Sequence, residues 1–186
     1  MTRVVYFTAC TLDGFIADEH DSLDWLFEVP HSEDDGGWDA FICRIGLLVT
    51  GTTTYRWMLD HHFTEHPEQW AEFYDDRPLR VFTHQELPGI PGVDVRFVAG
   101  DVATAYDELV AAADGKDVWV VGGGDLVGQF DDAGLLDEVH LGMTPVTLGR
   151  GRPLLPRTIT SRRMKFREAQ LIGQRVRMVL DVDRAR

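Results

Sequence analysis

The feature that most constrains this chain is an apolar run that leads directly into three glycines and then into a helix. Residues 118–121 form a continuous apolar strand, Gly122, Gly123 and Gly124 follow, and a short helix extends to Phe130. A strand without alternating polar residues is typical of a parallel sheet that helices cover on both faces. The junction therefore predicts an α/β fold.

The remainder of the chain alternates between apolar strands and helical segments. The predicted strands are residues 4–10, 45–50, 79–83, 93–98, 118–121, 136–144, 164–172 and 176–182. Helical periodicity is clear over 52–62 and after Asp101, whereas residues 63–77 show none. The last two strands read as an antiparallel pair across Gly173 and Gln174. We predict a single domain over 1–186, a three-layer α/β/α fold whose mixed, mostly parallel central sheet ends in antiparallel strands.

The charge distribution excludes one class of function. The chain has a formal net charge of −13, which disfavours binding to nucleic acid. Residues 157–186 run against this trend, with nine Lys or Arg against three Asp or Glu. This basic segment is either a solvated face or a patch that meets an anionic substrate or an acidic face of a second subunit.

The sequence also indicates a cytoplasmic location. Cys10 and Cys43 are too few for a disulfide framework, and both read as small buried side chains. No segment has the length of a membrane span, and the first residues lead into a strand without a signal-peptide pattern. We expect a reducing compartment and no membrane partner.

The triple glycine suits a phosphate ligand. Glycines allow a diphosphate to approach the backbone, and a helix that starts at this point offers free N–H groups around Asp125, Leu126 and Val127. The simpler alternative is a tight turn from strand to helix. Three glycines exceed what a turn requires, because each weakens the backbone by roughly 0.5–1 kcal/mol relative to alanine.

Two other strand ends carry groups of the same kind. Gly51 is followed by Thr52, Thr53 and Thr54 at a helix start, where N-capping alone would need one threonine. A third strand ends in the polar pair at positions 83 and 84, which could equally be a simple turn. Separated anion sites along one edge of a sheet fit a dinucleotide, although the Gly-x-Gly-x-x-Gly fingerprint is absent.

These motifs, in this order, resemble the dihydrofolate reductase superfamily, and most closely the reductase domain of the bifunctional riboflavin-biosynthesis deaminase–reductase. The resemblance covers nearly the whole chain through residues 8–17, 48–55, 120–130 and 136–156. It implies a dihydrofolate reductase-like fold and a dinucleotide whose diphosphate lies on the turn that begins at Val121. It also implies that the backbones of Ala9 and Ile16 hold the nicotinamide carboxamide.

The resemblance leaves the choice of coenzyme less defined. Relatives often carry Arg directly after the first glycine to bind the adenosine 2′-phosphate, and this chain has Thr52 there. Thr83, His84 and Arg80 are the remaining candidates for that contact. We expect NADPH, with NADH as the alternative.

The same resemblance suggests residues on the substrate side. Asp35 and Asp39 are the candidate general acids, with an ordered water as the alternative. Asp24 and Trp25 fall in the loop over the nicotinamide, and Gly142 stands where folate reductases carry a substrate-binding Thr, which argues against folate reduction.

The implied activity is hydride transfer to a small heterocycle, such as a 5-amino-6-(5-phosphoribosylamino)uracil-type pyrimidine. A dihydrofolate reductase, a nucleotide-binding module without catalysis and a flavin-binding protein are the alternatives. We expect no metal site, because the histidines at 61, 62 and 66 lack companion ligands. Relatives tend to be homodimers, which makes the basic terminal strands a candidate contact.

Overall fold

The computed structural model describes residues 2–30 and 37–184 as one large sheet with helices on both faces. The strands are β1 Val4–Thr11, β2 Phe15–Ala17, β3 Ile45–Gly51, β4 Leu79–Phe82, β5 Val95–Val98, β6 Asp117–Gly122, β7 Glu138–Thr144, β8 Arg152–Pro153, β9 Met164–Ile172 and β10 Arg175–Val182. The α-helices are α1 Asp24–Phe27, α2 Trp38–Ile42, α3 Thr52–Met58, α4 Gln69–Tyr74, α5 Val102–Ala112 and α6 Gly124–Asp132, and a π-helical turn, Leu59–Phe63, extends α3.

The large sheet is mixed and mostly parallel, as the sequence predicts. Its strand order is β5-β4-β3-β6-β1-β7-β10-β9. The six strands from β5 to β7 are parallel to one another, whereas β10 is antiparallel to both β7 and β9. The short strands β2 and β8 form a separate antiparallel pair. The dihydrofolate reductase-like three-layer architecture is confirmed.

Two apolar clusters hold the layers together, one on each face of the sheet. Leu109 of α5 and Phe130 of α6 are fully buried against one face. On the other face, Phe41 of α2 and Tyr55 of α3 are buried against a cluster that includes Trp119. Successive side chains of β6 point alternately into the two clusters, so both faces of this strand are buried. This burial explains why residues 118–121 are all apolar.

Three local expectations need correction. A short helix, α4, lies inside the segment 63–77, where the sequence shows no periodicity. The helix predicted over 52–62 changes to π geometry after Met58, and the N–H of Thr64 donates to the carbonyl of Leu59. Cys43 is exposed at the end of α2, whereas Cys10 is buried as expected.

Candidate functional site

A groove of about 430 Å³ opens where β3, β4 and β6 end. The groove is lined by Gly51, Thr52, Thr53 and Thr54 at the start of α3, Phe82, Thr83, His84 and Gln85 after β4, Val98 and Gly100 after β5, and Gly123, Asp125, Leu126 and Gln129 at the start of α6. The sequence predicted all three strand ends as anion-binding positions, and the fold brings them to one edge of the sheet. Such an edge of an open α/β sheet is the usual place for a dinucleotide.

Gly123 faces open space in this groove. Its φ of −88° is accessible to any residue, so this dihedral angle does not require glycine. A Cβ placed on Gly123 would have only the Cδ1 of Ile16 near it, at 4.0 Å. Gly51 is similar, with a φ of −92° and the Gly122 carbonyl oxygen at 4.0 Å as its nearest neighbour. The bare Cα atoms at these positions leave room for a ligand against the backbone.

The other two glycines of the triplet serve packing. A Cβ on Gly124 would lie 2.3 Å from the carbonyl oxygen of Pro153 and 2.5 Å from that of Leu154, so the loop after β8 rests directly on the start of α6. A Cβ on Gly122 would lie 3.0 Å from the Thr54 hydroxyl. Of the three consecutive glycines, one therefore faces open space and two are closely packed.

Two helices begin at the groove without a side-chain cap. The N-cap residues are Gly51 before α3 and Gly123 before α6, and neither helix has a side-chain N-cap hydrogen bond in the described structure. The positive ends of both helix dipoles and their first-turn N–H groups therefore face the same groove. Leu126 lines it, whereas the Val127 side chain is fully buried and its N–H donates to the carbonyl of Gly123. Val121, near the end of β6, packs against the apolar cluster on the face of the sheet that α2 and α3 cover.

The outer end of the groove carries polar but uncharged groups. The Thr52 hydroxyl donates to the Thr83 hydroxyl at 2.9 Å, and the N–H of Gln85 donates to the same oxygen at 3.0 Å. His84 is exposed beside them. Arg80 is not available for a phosphate, because its buried guanidinium bonds to Glu108 at 2.8 Å and lies 3.4 Å from Asp94. Among the described lining residues there is no Lys or Arg.

One carboxylate lies at the turn after β6, and neighbouring side chains bond to it. Asp125 lies in the first turn of α6, where an acidic residue stabilises the helix. Its carboxylate lies 3.2 Å from the Arg157 guanidinium and accepts a hydrogen bond from the Gln129 amide at 3.0 Å. These contacts reduce the repulsion that Asp125 would exert on a bound diphosphate.

The residues predicted to hold the nicotinamide, Ala9 and Ile16, lie on β1 and β2. Ile16 of β2 is the side chain nearest to the open position on Gly123. Ala9 of β1 pairs with Gly142 of β7, where a Cβ would meet no atom within 4 Å. Ala9, Ile16 and Gly142 are not among the described lining residues of the groove, and Ile16 approaches it only through Gly123.

Of the two candidate general acids, the structure describes only one. Asp35 lies outside the described residues. Asp39 is exposed in the first turn of α2.

The candidate substrate-binding pair lies in α1. Asp24 is exposed, whereas Trp25 beside it is 6% exposed and its indole Nε1 is buried without a hydrogen-bond partner in the described structure.

Two arginines of β10 were not predicted as site residues. Arg177 stands opposite Gly142 on the neighbouring strand, and Arg175 lies two positions earlier on the same face. The sequence contains a signal for them, because basic residues alternate with apolar ones at 175–178. Only the sheet order shows that this strand lies next to β7.

No helix in the described residues is long and apolar enough to cross a membrane. Within the same residues, no cluster of three or more His, Cys, Asp or Glu side chains has a metal-binding arrangement.

Comparison with known proteins gives one family and a consistent fold. The RibD C-terminal domain family matches residues 2–178. An uncharacterized protein of Bacillus subtilis strain 168, YwjB, is 28% identical over 178 residues, which are 95% of each chain. A protein assigned to riboflavin biosynthesis from Shewanella sp. PV-4 superposes with a TM-score of 0.77 over the whole of both chains at 24% identity. Dihydrofolate reductase from Enterococcus faecalis, solved with NADP(H), gives a TM-score of 0.60 at 16% identity over 99% of this chain and 97% of its own.

Proposed function

Because the chain belongs to the RibD C-terminal domain family, we propose that it is a reductase that takes hydride from NADPH. The observation that carries this proposal is the open space over Gly123, between two uncapped helix starts. A dinucleotide fits this groove, with its diphosphate at the N–H groups of α3 and α6. Phe82, Val98 and Leu126 offer an apolar slot for the adenine ring.

The chain's own residues position the reactants rather than react. Reduced nicotinamide supplies the hydride. Ala9 and Ile16 would hold the carboxamide through their backbones, with Gly142 on the substrate side. Small residues at Ala9 and Gly142 let a flat heterocycle approach this face, and Trp25 in α1 excludes water from it. Asp39, Asp35 or an ordered water supplies the proton.

The substrate proposed is a 5-amino-6-(5-phosphoribosylamino)uracil-type pyrimidine, in keeping with the family. A second copy of the chain is the proposed partner. NADH is the alternative coenzyme, since no Lys or Arg occurs among the described lining residues to favour a 2′-phosphate.

Coenzyme binding is tested by titrating the protein with NADPH and NADH while following tryptophan fluorescence. We expect micromolar NADPH binding that weakens at least about tenfold in Gly123→Val, because the side chain fills the space proposed for the diphosphate. Gly89→Val is the matched control, because Gly89 is exposed and a Cβ there also meets nothing within 4 Å. Equal NADPH affinity in the wild type and Gly123→Val would remove this groove as the site.

Turnover is a separate measurement. NADPH oxidation is followed with the ribosylaminopyrimidine, with dihydrofolate and without substrate. We expect oxidation with the pyrimidine alone. Turnover of dihydrofolate would favour the folate reductase alternative, and tight NADPH binding without any turnover would favour a module that has lost catalysis.

A further inference from the structure

Asp13 is exposed in the turn between β1 and β2, yet both of its carboxylate oxygens accept hydrogen bonds from the protein. Oδ1 accepts from the Thr11 hydroxyl at 2.6 Å, and Oδ2 accepts from the N–H groups of Leu148 and Gly149 at 3.0 and 2.7 Å. These bonds, the one from Thr11 foremost, hold the pKa of Asp13 below its ordinary value, so the group is a carboxylate at neutral pH. Since water alone could solvate an exposed carboxylate, these bonds serve to hold the backbone around it.

The same carboxylate fixes the start of β2 through Thr11. The Thr11 hydroxyl donates to Asp13, which can only accept, and it accepts from the N–H of Phe15 at 3.0 Å. Phe15 is the first residue of β2, and Ile16 follows it. The hydrogen bonds of Asp13 therefore end one residue before the backbone that is proposed to hold the carboxamide.

The loop at 145–149, which Asp13 bonds to, leads to the start of α6. It continues into β8, which pairs with β2 in the small sheet. The Leu154 N–H donates to the Gly14 carbonyl at 2.9 Å, and the carbonyl oxygens of Pro153 and Leu154 lie directly over Gly124. The contacts from this loop to α6 are between backbone atoms, which adjust less than long side chains do.

The other end of β2 is held in a different way. A Cβ on Gly151 would lie 2.2 Å from the carbonyl oxygen of Ala17, so the two backbones are in direct contact. Beyond it, the Arg152 guanidinium binds both carboxylate oxygens of Asp21, at 2.5 and 2.9 Å. β2 is thus fixed at both ends, and Asp13 fixes the end that adjoins β1.

We propose that Asp13 is a positioning residue for the nicotinamide, because it sets the backbone of Ile16 relative to that of Ala9. This inference rests on the proposed function, which takes these two backbones as the carboxamide site. Ala9 lies in the eight-stranded sheet and Ile16 in the two-stranded one, so no shared ladder of hydrogen bonds fixes their relative position. The turn that Asp13 braces joins the two strands, and small displacements of a bound reactant are costly in hydride transfer.

The test is calorimetric titration with NADPH and with 2′-phospho-ADP-ribose, which is the same molecule without its nicotinamide. The wild type should bind NADPH at least about tenfold tighter than this fragment, because the carboxamide adds hydrogen bonds. In Asp13→Ala the two dissociation constants should lie within about twofold of each other, with the affinity for the fragment unchanged. Asp13→Asn should give an intermediate ratio, because it keeps one acceptor oxygen but turns an amide NH2 toward the N–H groups of the loop.

Asp101→Ala is the matched control, because Asp101 is also exposed and accepts from a backbone N–H and a threonine hydroxyl, but at the start of α5. It should leave the ratio of the two dissociation constants at the wild-type value.

Three outcomes would contradict the inference. Equal ratios in the wild type and Asp13→Ala would overturn it and leave the proposed function intact. Weakening of both ligands by the same factor would also overturn it, because it would show that Asp13 only stabilises the fold. If the wild type binds neither ligand, the proposed function fails, and Asp13 has no coenzyme to position.

Discussion

At the residue scale, we expect Thr52 to be the position that most directly sets coenzyme preference. Its hydroxyl bonds to Thr83 at the outer end of a groove whose described lining contains no Lys or Arg. Thr52→Arg adds a guanidinium there, and hydrogen bonds to a charged group contribute about 1.5–3 kcal/mol. We therefore expect NADPH to bind about tenfold tighter, with the affinity for NADH unchanged.

The measurement is the ratio of the two dissociation constants, obtained by fluorescence titration. Thr52→Gln is the control, because it adds length without charge and should leave the ratio at the wild-type value. An equal gain for NADH and NADPH would show that the new guanidinium contacts the diphosphate instead of the 2′-phosphate.

The packing role of Gly124 in the glycine triplet can be tested by substitution. Gly124→Ala places a methyl group 2.3 Å from the backbone oxygen of Pro153, which cannot rotate away as a side chain would. Overpacking of this kind costs about 1–3 kcal/mol of unfolding free energy. Urea denaturation should show this loss, and Gly89→Ala, at an exposed and open position, should show little change. Unchanged stability in Gly124→Ala would mean that the loop after β8 does not rest on α6.

The sequence predicted that the glycine triplet binds a ligand, but it could not divide the roles among the three residues. Gly123 and Gly124 are adjacent and chemically identical, and they differ only because the backbone of Pro153 and Leu154 packs over one of them. Arg80 shows the same limit. It was a candidate for the 2′-phosphate contact, whereas its guanidinium bonds to Glu108 of α5.

At the scale of elements, continuous apolar runs identified the strands well, because burial on both faces leaves a strong signal over a few residues. The short helix α4 gave no such signal, since six residues do not span two helical turns. The sequence also indicated the start of α5, where the Asp101 side chain accepts from the Thr104 N–H at 2.8 Å. The position of Arg177 opposite Gly142 could not be predicted, because sheet order is a long-range property.

The cap of α5 makes a prediction about pH. Hydrogen bonds from the backbone N–H and the hydroxyl of Thr104 hold the pKa of Asp101 below its ordinary value. A lowered folded-state pKa means that the carboxylate stabilises the fold above the ordinary pKa and loses this effect as the pH falls through the lowered one. We expect Asp101→Ala to lower the Tm by about 2–4 °C at neutral pH.

The difference between the wild type and Asp101→Ala should shrink when the pH falls below ~3.9, the ordinary pKa of Asp. Thermal unfolding followed by circular dichroism across this range provides the test. Asp107→Ala, at an exposed position in the same helix, is the control. A difference that stays constant down to low pH would show that the carboxylate charge does not stabilise the helix.

At the scale of the whole molecule, one buried charge cluster ties together the end of the sheet opposite the groove. Glu138 begins β7 and is fully buried among Arg3, Arg44, Arg167 and His140. Burial alone would raise the pKa of Glu138, but hydrogen bonds from His140, Arg167 and Arg3 and the charge of Arg44 outweigh it and hold this pKa far below its ordinary value. The cluster joins the starts of β1, β3 and β7 to β9.

Removing this carboxylate leaves several cations without a counter-charge. We expect Glu138→Gln to lose about 3–5 kcal/mol of unfolding free energy, the range typical of a broken buried ion pair. The wild-type protein should lose the same contribution as the pH falls below ~4.3 toward the lowered pKa of Glu138. NADPH affinity should be unchanged in the folded variant, because the cluster lies at the other end of β1 from Ala9. A loss of coenzyme affinity without a loss of stability would contradict this division between the two ends of the sheet.

The proposed homodimer is argued at the same scale, from the edge of the large sheet. β9 is an edge strand, and Phe166 and Leu171 on it are 69% and 72% exposed. Unpaired strand edges and exposed apolar residues favour association with another chain. Since most basic residues of this region are already paired within the chain, apolar contacts should dominate the interface.

We expect a dimer by sedimentation velocity that persists at about 1 M salt, where charge attraction is screened beyond ~3 Å. Phe166→Glu with Leu171→Glu should give monomers, whereas Phe97→Glu on the opposite edge strand should not. A dimer that dissociates at high salt would indicate instead that the basic side chains form the interface.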